Sequence, residues 1–243
     1  MDKITFDAHL QELQKQEKQT QKRFKLDLED QVAILGEDGP MMGFDRQYIY
    51  HTAWAARCLS RIKPAFHVDF SSILYFTAII SAFFPVKYYD FRKSLLSLDA
   101  VTTGSVDLVS ADKIKTGSLS SISCMHVVEH IGLGRYGDPI DYDGDLKAIR
   151  ELQRIVAPGG DFLFVAPVGA NGLIQFNANR IYNYYEIRRE LTKGFHLIEE
   201  ALIPGGWEHG LVYQPSESLI DSQFHACGCF WLKKYTSSTE EMK

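Results

Sequence analysis

No stretch of this chain is long and apolar enough to cross a bilayer: the greasiest run, Ser72 to Pro85, holds only about 13 residues before proline ends it. The opening Met1-Asp2-Lys3-Ile4-Thr5-Phe6 lacks the basic-then-apolar layout of a secretion signal, so a cytoplasmic address without membrane insertion is expected. The four cysteines, Cys58, Cys124, Cys227 and Cys229, form no ladder of regular spacings, which argues against a disulfide framework and for free thiols in a reducing compartment. Positive charge is not in excess: 26 Lys and Arg face 31 Asp and Glu, a net charge of −5, which disfavours a nucleic-acid partner. Internal repeats and low-complexity tracts are missing too. With 45% hydrophobic and 12% aromatic residues the chain is too apolar for disorder, and its length buries a core without metal or disulfide staples.

A further absence matters most for function. Ala65-Phe66-His67-Val68-Asp69-Phe70 reads as a buried strand ending in a carboxylate, where doubly wound folds continue into a glycine loop. Ser71 and Ser72 stand there instead. The surrounding frame is nevertheless that of a parallel sheet covered on both faces, with short apolar runs alternating with helical patterns. Strands are expected at 65–70, 86–90, 106–110, 119–125 and 161–166, with two more at Phe195 to Ile203 and Cys227 to Tyr235. Helices are expected at 72–84, 143–156 and 184–193. Before this frame, residues 7–25 form a sparse amphipathic helix with Asp7 as its cap, Gly36 and Gly43 break the chain, and Asp45 caps a helix reaching Ile62. Ile49, Ala53, Ala56, Trp54 and Cys58 supply that helix's apolar stripe. The expected organisation is an N-terminal helical extension over 1–44, one α/β domain over 45–235 and a polar, flexible tail over 236–243.

In an open α/β sheet, ligands bind outside the carboxyl ends of the strands. Those ends expose Asp69, Ser71 and Ser72, then Asp90, then Asp112, then His126. Asp90 follows Asp69 at about the 20-residue offset where a carboxylate meets ribose hydroxyls. Two segments carry patterns that bear on metal binding. In His225-Ala226-Cys227-Gly228-Cys229 both sulfurs would share one face of a strand and four placed ligands are not evident, so ordinary strand packing is expected. His126-x-x-Glu129-His130 matches an inverted zinc-peptidase pattern, which requires a helix where this segment leaves a strand into glycines. No metal is therefore expected.

Two segments carry a family resemblance: Ser123-Cys124-Met125-His126-Val127-Val128-Glu129-His130-Ile131, and Glu151-Leu152-Gln153-Arg154-Ile155-Val156-Ala157-Pro158-Gly159-Gly160-Asp161-Phe162. They resemble the fourth-strand segment and the helix-turn-strand signature of class I S-adenosylmethionine-dependent methyltransferases. With Tyr136-Gly137-Asp138-Pro139-Ile140-Asp141, the likeness narrows to a methyltransferase-like family, classed as a domain of unknown function, of nematodes and bacterial glycan gene clusters. The resemblance spans about residues 45 to 235 and implies a doubly wound, mostly parallel seven-stranded Rossmann-like sheet whose last strand is antiparallel. It implies S-adenosylmethionine as cofactor, with Asp69, Ser71 and Ser72 by its methionine part, Asp90 by the ribose, Asp112 by the adenine and His126 at the methyl-transfer position. A hydroxyl acceptor would need a base, for which His126, His130 and His209 are candidates, with Glu129 or Asp138 to orient one. The implied partner is a small polar molecule, with a sugar or glycan precursor leading; a homo-oligomer stays open. The rival is a catalytically silent binding or scaffold protein on the same fold.

Overall fold

The computed structural model describes residues 2–19, 26–39 and 42–236. The chain divides into two compact units, Met1–Asp45 and Arg46–Lys243. The first holds α1 (Lys3–Gln19), which buries none of its residues, as its few apolar teeth imply. Asp2, rather than Asp7, accepts the Thr5 N–H at the helix start, while Asp7 pairs with Lys3 one turn back. The rest of the expected helix, residues 20–25, and the tail 237–243 lie outside the described residues.

The second unit runs α2 (Arg46–Ile62), β1 (His67–Phe70), α3 (Leu74–Ile80), β2 (Val86–Asp90), β3 (Val101–Ser105), β4 (Leu119–Met125), α4 (Gly144–Ile155), β5 (Val156–Gly169), β6 (Leu173–Gln175), β7 (Asn179–Asn183), α5 (Tyr184–Leu191), β8 (Phe195–Ile203), β9 (Val212–Tyr213), α6 (Glu217–Asp221) and β10 (Ala226–Lys234). The main path of the sheet is β3-β2-β1-β4-β5-β10-β8-β9, and β6 and β7 join beside β5. Strands β3 to β5 are parallel, and β10 is antiparallel to both β5 and β8. This is the doubly wound frame that the resemblance implied, enlarged by the short strands β6, β7 and β9. Among the described residues no helix is long and apolar enough to cross a membrane.

One face of the sheet packs Phe70, Ile122, Phe162 and Phe164 against Ile149, Leu152 and Ile155 of α4. Their three-residue spacing makes α4 bind the sheet along one stripe. The other face packs Leu163, Val165, Cys227 and Cys229 against Trp54, Cys58 and Leu59 of α2 and Phe76 of α3. The buried stripe of α2 is His51, Trp54, Ala55, Cys58 and Leu59, rotated from the expected one, with Ile49 exposed. Glu199 of β8 fixes that rotation by accepting from the Trp54 indole at 2.9 Å and pairing with Arg61 at 2.8 Å.

The third strand lies five residues earlier than expected. Val101-Thr102-Thr103-Gly104-Ser105 forms β3 at the sheet edge, where only one side needs a partner and polar β-branched residues serve. Leu108 of the expected strand is buried in a loop beyond β3. Moving the strand end from Ser110 to Ser105 changes which carboxylate lies at its tip.

Candidate active site

Ser71 and His126 follow β1 and β4, adjacent strands, and both take left-handed backbone angles, φ 56° and φ 57°. Such angles cost a side-chain-bearing residue about 1–2 kcal/mol. At Ser71 the turn therefore keeps the conformation a glycine would supply. Its amide and hydroxyl both donate to the Tyr89 carbonyl, at 2.7 and 3.1 Å, tying the turn to the end of β2. Ser72 points away from solvent, and its hydroxyl accepts the Met125 N–H at 3.2 Å, which locks β1 to β4.

The strand tips enclose a first cavity whose lining includes Ser71, Asp90, Phe91, Asp107, Leu108 and His126. Asp90 accepts from the Arg92 amide at 2.8 Å and from the Tyr88 hydroxyl at 3.2 Å. These bonds, with the Arg92 guanidinium 3.5 Å from the same carboxylate, hold it in place and leave acceptor capacity unspent. Asp107, the first acid after β3, lines this cavity, whereas Asp112 is exposed and outside the lining of either cavity. The shift of β3 puts Asp107 at the cavity, where the sequence pattern leads one to expect Asp112.

Asp69 is also outside both linings. It is fully buried on the α3 face, where Thr77 donates to one oxygen at 2.8 Å and Ser123 to the other. The His67 ring bridges Ser121 at 2.8 Å and Ser123 at 2.9 Å. A consistent proton arrangement runs Ser121 O–H to Nδ1, Nε2–H to Ser123, and Ser123 O–H to the Asp69 carboxylate. Burial pushes Asp69 up to about 6 against the lowering effect of these hydroxyls, and pushes His67 down to about 3.

A second cavity adjoins the first, sharing Ser71, His126, His130 and Tyr136 and adding Gln47, Tyr48, Glu129, Arg135, Asn179 and His225. His126 donates from Nδ1 to Glu129 at 3.0 Å and turns Nε2 towards the Cys227 thiol at 3.4 Å. Burial opposes a charge on His126, but Cys227 and Glu129 outweigh it and its proton affinity is raised. Burial and the facing His126 push His51 down to about 3. His130 donates from Nδ1 to the Ala178 carbonyl at 2.7 Å, so Nε2 carries the lone pair, 3.9 Å from Glu129.

Asp138 lines the first cavity as a loop brace. Its carboxylate accepts the amides of Gly132, Gly134 and Tyr136, and these bonds outweigh its partial burial and lower its pKa. His209 lies in an exposed loop outside both linings, with its carbonyl held by Arg46. Arg180, which no local sequence pattern marks, is buried and clasps both ends of the loop 131–142. Its guanidinium donates to the carbonyls of Ile131 at 2.6 Å and Tyr142 at 2.9 Å, and lies 3.6 Å from Asp145.

A family model described as "Caenorhabditis protein of unknown function, DUF268" matches residues 88–201. Among curated proteins none matches the chain. Similar solved structures include a Burkholderia thailandensis 1,6-didemethyltoxoflavin-N1-methyltransferase with bound 1,6-didemethyltoxoflavin and S-adenosylhomocysteine, at 12% identity and TM-score 0.55 over 76% of this chain and 78% of that one. The N-methyltransferase NodS from Bradyrhizobium japonicum, in complex with S-adenosylhomocysteine, aligns at 12% identity and TM-score 0.52 over 78% and 89%. The YcgJ protein from Bacillus aligns at 11% identity and TM-score 0.54 over 78% and 100%. At these identities the likeness establishes the fold: a class I methyltransferase-like sheet with helices on both faces.

Proposed function

We propose that the chain transfers a methyl group from S-adenosylmethionine to a hydroxyl-bearing small polar acceptor, a sugar or glycan precursor foremost. The observation that carries the reading is the first cavity, opened at the tips of β1, β2 and β4 with Asp90 held at its rim. Its residues fit the cofactor. A carboxylate with unspent acceptor capacity suits a ribose diol, the apolar side chains of Phe91 and Leu108 suit a purine, and Asp107 suits an exocyclic amine. When bound, S-adenosylmethionine supplies an electrophilic methyl on a sulfonium. Gln47, Arg135, Tyr136 and Asn179 give the adjoining cavity the hydrogen-bonding lining that a polyol needs.

His130 is the base in this reading. Its Nδ1 proton is committed to the Ala178 carbonyl, so the Nε2 lone pair is free to take the acceptor's hydroxyl proton. Glu129 then stabilises the resulting imidazolium from 3.9 Å. His126 shares Glu129 but has its Nε2 engaged by Cys227, which makes it the less available of the two.

Calorimetric titration with S-adenosylmethionine tests the reading. Folded protein should bind it, and Asp90→Ala should weaken binding about 10- to 100-fold, since a lost hydrogen bond to a charged group is worth about 1.5–3 kcal/mol. Unchanged affinity in the variant would remove the ribose assignment. An absence of binding heat at several temperatures, from folded parent protein, would remove the enzyme reading and favour a scaffold.

A further inference from the structure

Three buried side chains from separate elements converge on one point: His51 of α2, His126 after β4 and Cys227 of β10. The ligand atoms they offer all lie within 4.8 Å of one another. Carbonyl oxygens only accept, so the 2.7 Å contact of His51 Nδ1 with the Gln47 carbonyl fixes the proton on Nδ1. His51 Nε2 is then a bare lone pair, fully buried, and it has no hydrogen-bond partner. Leaving such a group unsatisfied costs about 1–3 kcal/mol, which mere packing of α2 does not explain. His126 repeats the arrangement, with Nδ1 on the Glu129 carboxylate and Nε2 facing the Cys227 sulfur at 3.4 Å.

We infer that His51 Nε2, His126 Nε2 and Cys227 Sγ form a binding site for a single borderline divalent transition-metal ion, zinc foremost. Two imidazoles and a thiolate suit zinc or cobalt and not the hard cations magnesium and calcium. Around a tetrahedral zinc, with bonds of about 2.0–2.3 Å, neighbouring N and S ligand atoms lie about 3.3–3.6 Å apart. The His126–Cys227 separation already falls in that range, and His51 needs a shift on the order of an ångström to join it. Metal-bound histidines characteristically donate their second ring N–H to a carbonyl or carboxylate, and both imidazoles do so here. Charge also balances. The ion displaces the Cys227 thiol proton to solvent, and its two positive charges are met by the thiolate and by Glu129 behind His126. Three protein ligands leave a fourth position for water, on the side of the second cavity that His126 lines.

This departs from the expectation of no metal. Cys227 and Cys229 do share a strand face, but the partners that complete the set come from α2 and the end of β4, 176 and 101 positions earlier in the chain by subtraction from Cys227. The inference does not rest on the methyl-transfer reading, and its test does not involve the cofactor.

The test is addition of cobalt(II), followed by zinc(II), to chelator-treated full-length protein, read by absorption with circular dichroism alongside. The expected result is one cobalt per chain with a sulfur-to-cobalt charge-transfer band and intense d–d bands, all abolished by zinc. Cys227→Ser should remove the charge-transfer band, and His51→Gln should weaken cobalt binding at least 10-fold. Cys58→Ser, which alters a buried thiol outside the cluster, should leave the spectrum unchanged. If Cys227→Ser does not fold, His51→Gln and a zinc-induced rise in the parent's Tm carry the decision. A folded parent that develops no thiolate-cobalt band, or a Cys227→Ser protein that retains it, overturns the site.

Discussion

Arg180→Met should lower the stability of the folded protein by about 3–5 kcal/mol, the typical cost of breaking a buried ion pair from one side. Arg180 is 5% exposed and its partner Asp145 4%, so neither charge has water to fall back on. Asp145 is already pushed above its usual range by burial, with Arg180 acting against that rise. Methionine fills most of the volume but supplies no donor, and the carbonyls of Ile131 and Tyr142 lose their partner. Because those carbonyls mark the two ends of the loop that carries Tyr136 and Asp138 into the first cavity, cofactor binding should weaken with stability. Arg180→Lys keeps a positive charge near Asp145 but cannot fork across both loop ends, so it should recover part of the stability and less of the binding. Urea denaturation and calorimetry on the three proteins measure both effects. A Met variant within 1 kcal/mol of the parent would show that the clasp contributes little.

The contrast between Asp90 and Arg180 shows what the sequence can carry. Asp90 ends an apolar strand, one strand-helix-strand unit after Asp69, so periodicity and spacing alone put it at the rim of the cavity. Arg180 lies in an Asn-rich stretch without a local pattern, and its partners are 35 to 51 residues away. Long-range polar contacts leave no periodic trace. Asp107 is hidden in the sequence for another reason. The edge strand β3 is polar because it packs on one side only, while the loop after it is apolar because it lies under α4 and the cavity, so the greasy run marked the loop instead of the strand. Ser71 is the converse case. The residue type argued against a glycine-like turn, and the backbone adopted one, because hydrogen bonds to the Tyr89 carbonyl hold the left-handed angle in place. His51 had no sequence signal, since a histidine inside an amphipathic helix looks like any polar neighbour until the strand beneath it is known.

Asp69 offers the sharpest separation of family expectation from geometry. Its pKa is raised by burial from 3.8 to about 6, so the folded protein holds a proton that the unfolded chain has released. The sign follows: this carboxyl contributes stability that is fully present below about pH 4 and is lost as pH rises through about 6, amounting to roughly 3 kcal/mol at 1.36 kcal/mol per unit. Asp69→Asn should remove that slope. Asparagine can be accommodated because the chain beside it is reversible: its amide donates to Ser123, Ser123 then donates to His67 Nε2, and His67 Nδ1–H donates to Ser121. Above pH 6 the variant should therefore be at least as stable as the parent, whose buried carboxylate is ionised there. Other acids titrate identically in both proteins, so the difference between their urea midpoints at pH 4.5 and pH 7 isolates Asp69. Since Asp69 faces Thr77 and Ser123 and not the cavity, affinity for S-adenosylmethionine should change less than about 3-fold, well under 1 kcal/mol. Equal pH slopes in the two proteins would refute the burial argument, and a large loss of affinity in a variant of unchanged stability would return Asp69 to the cofactor site.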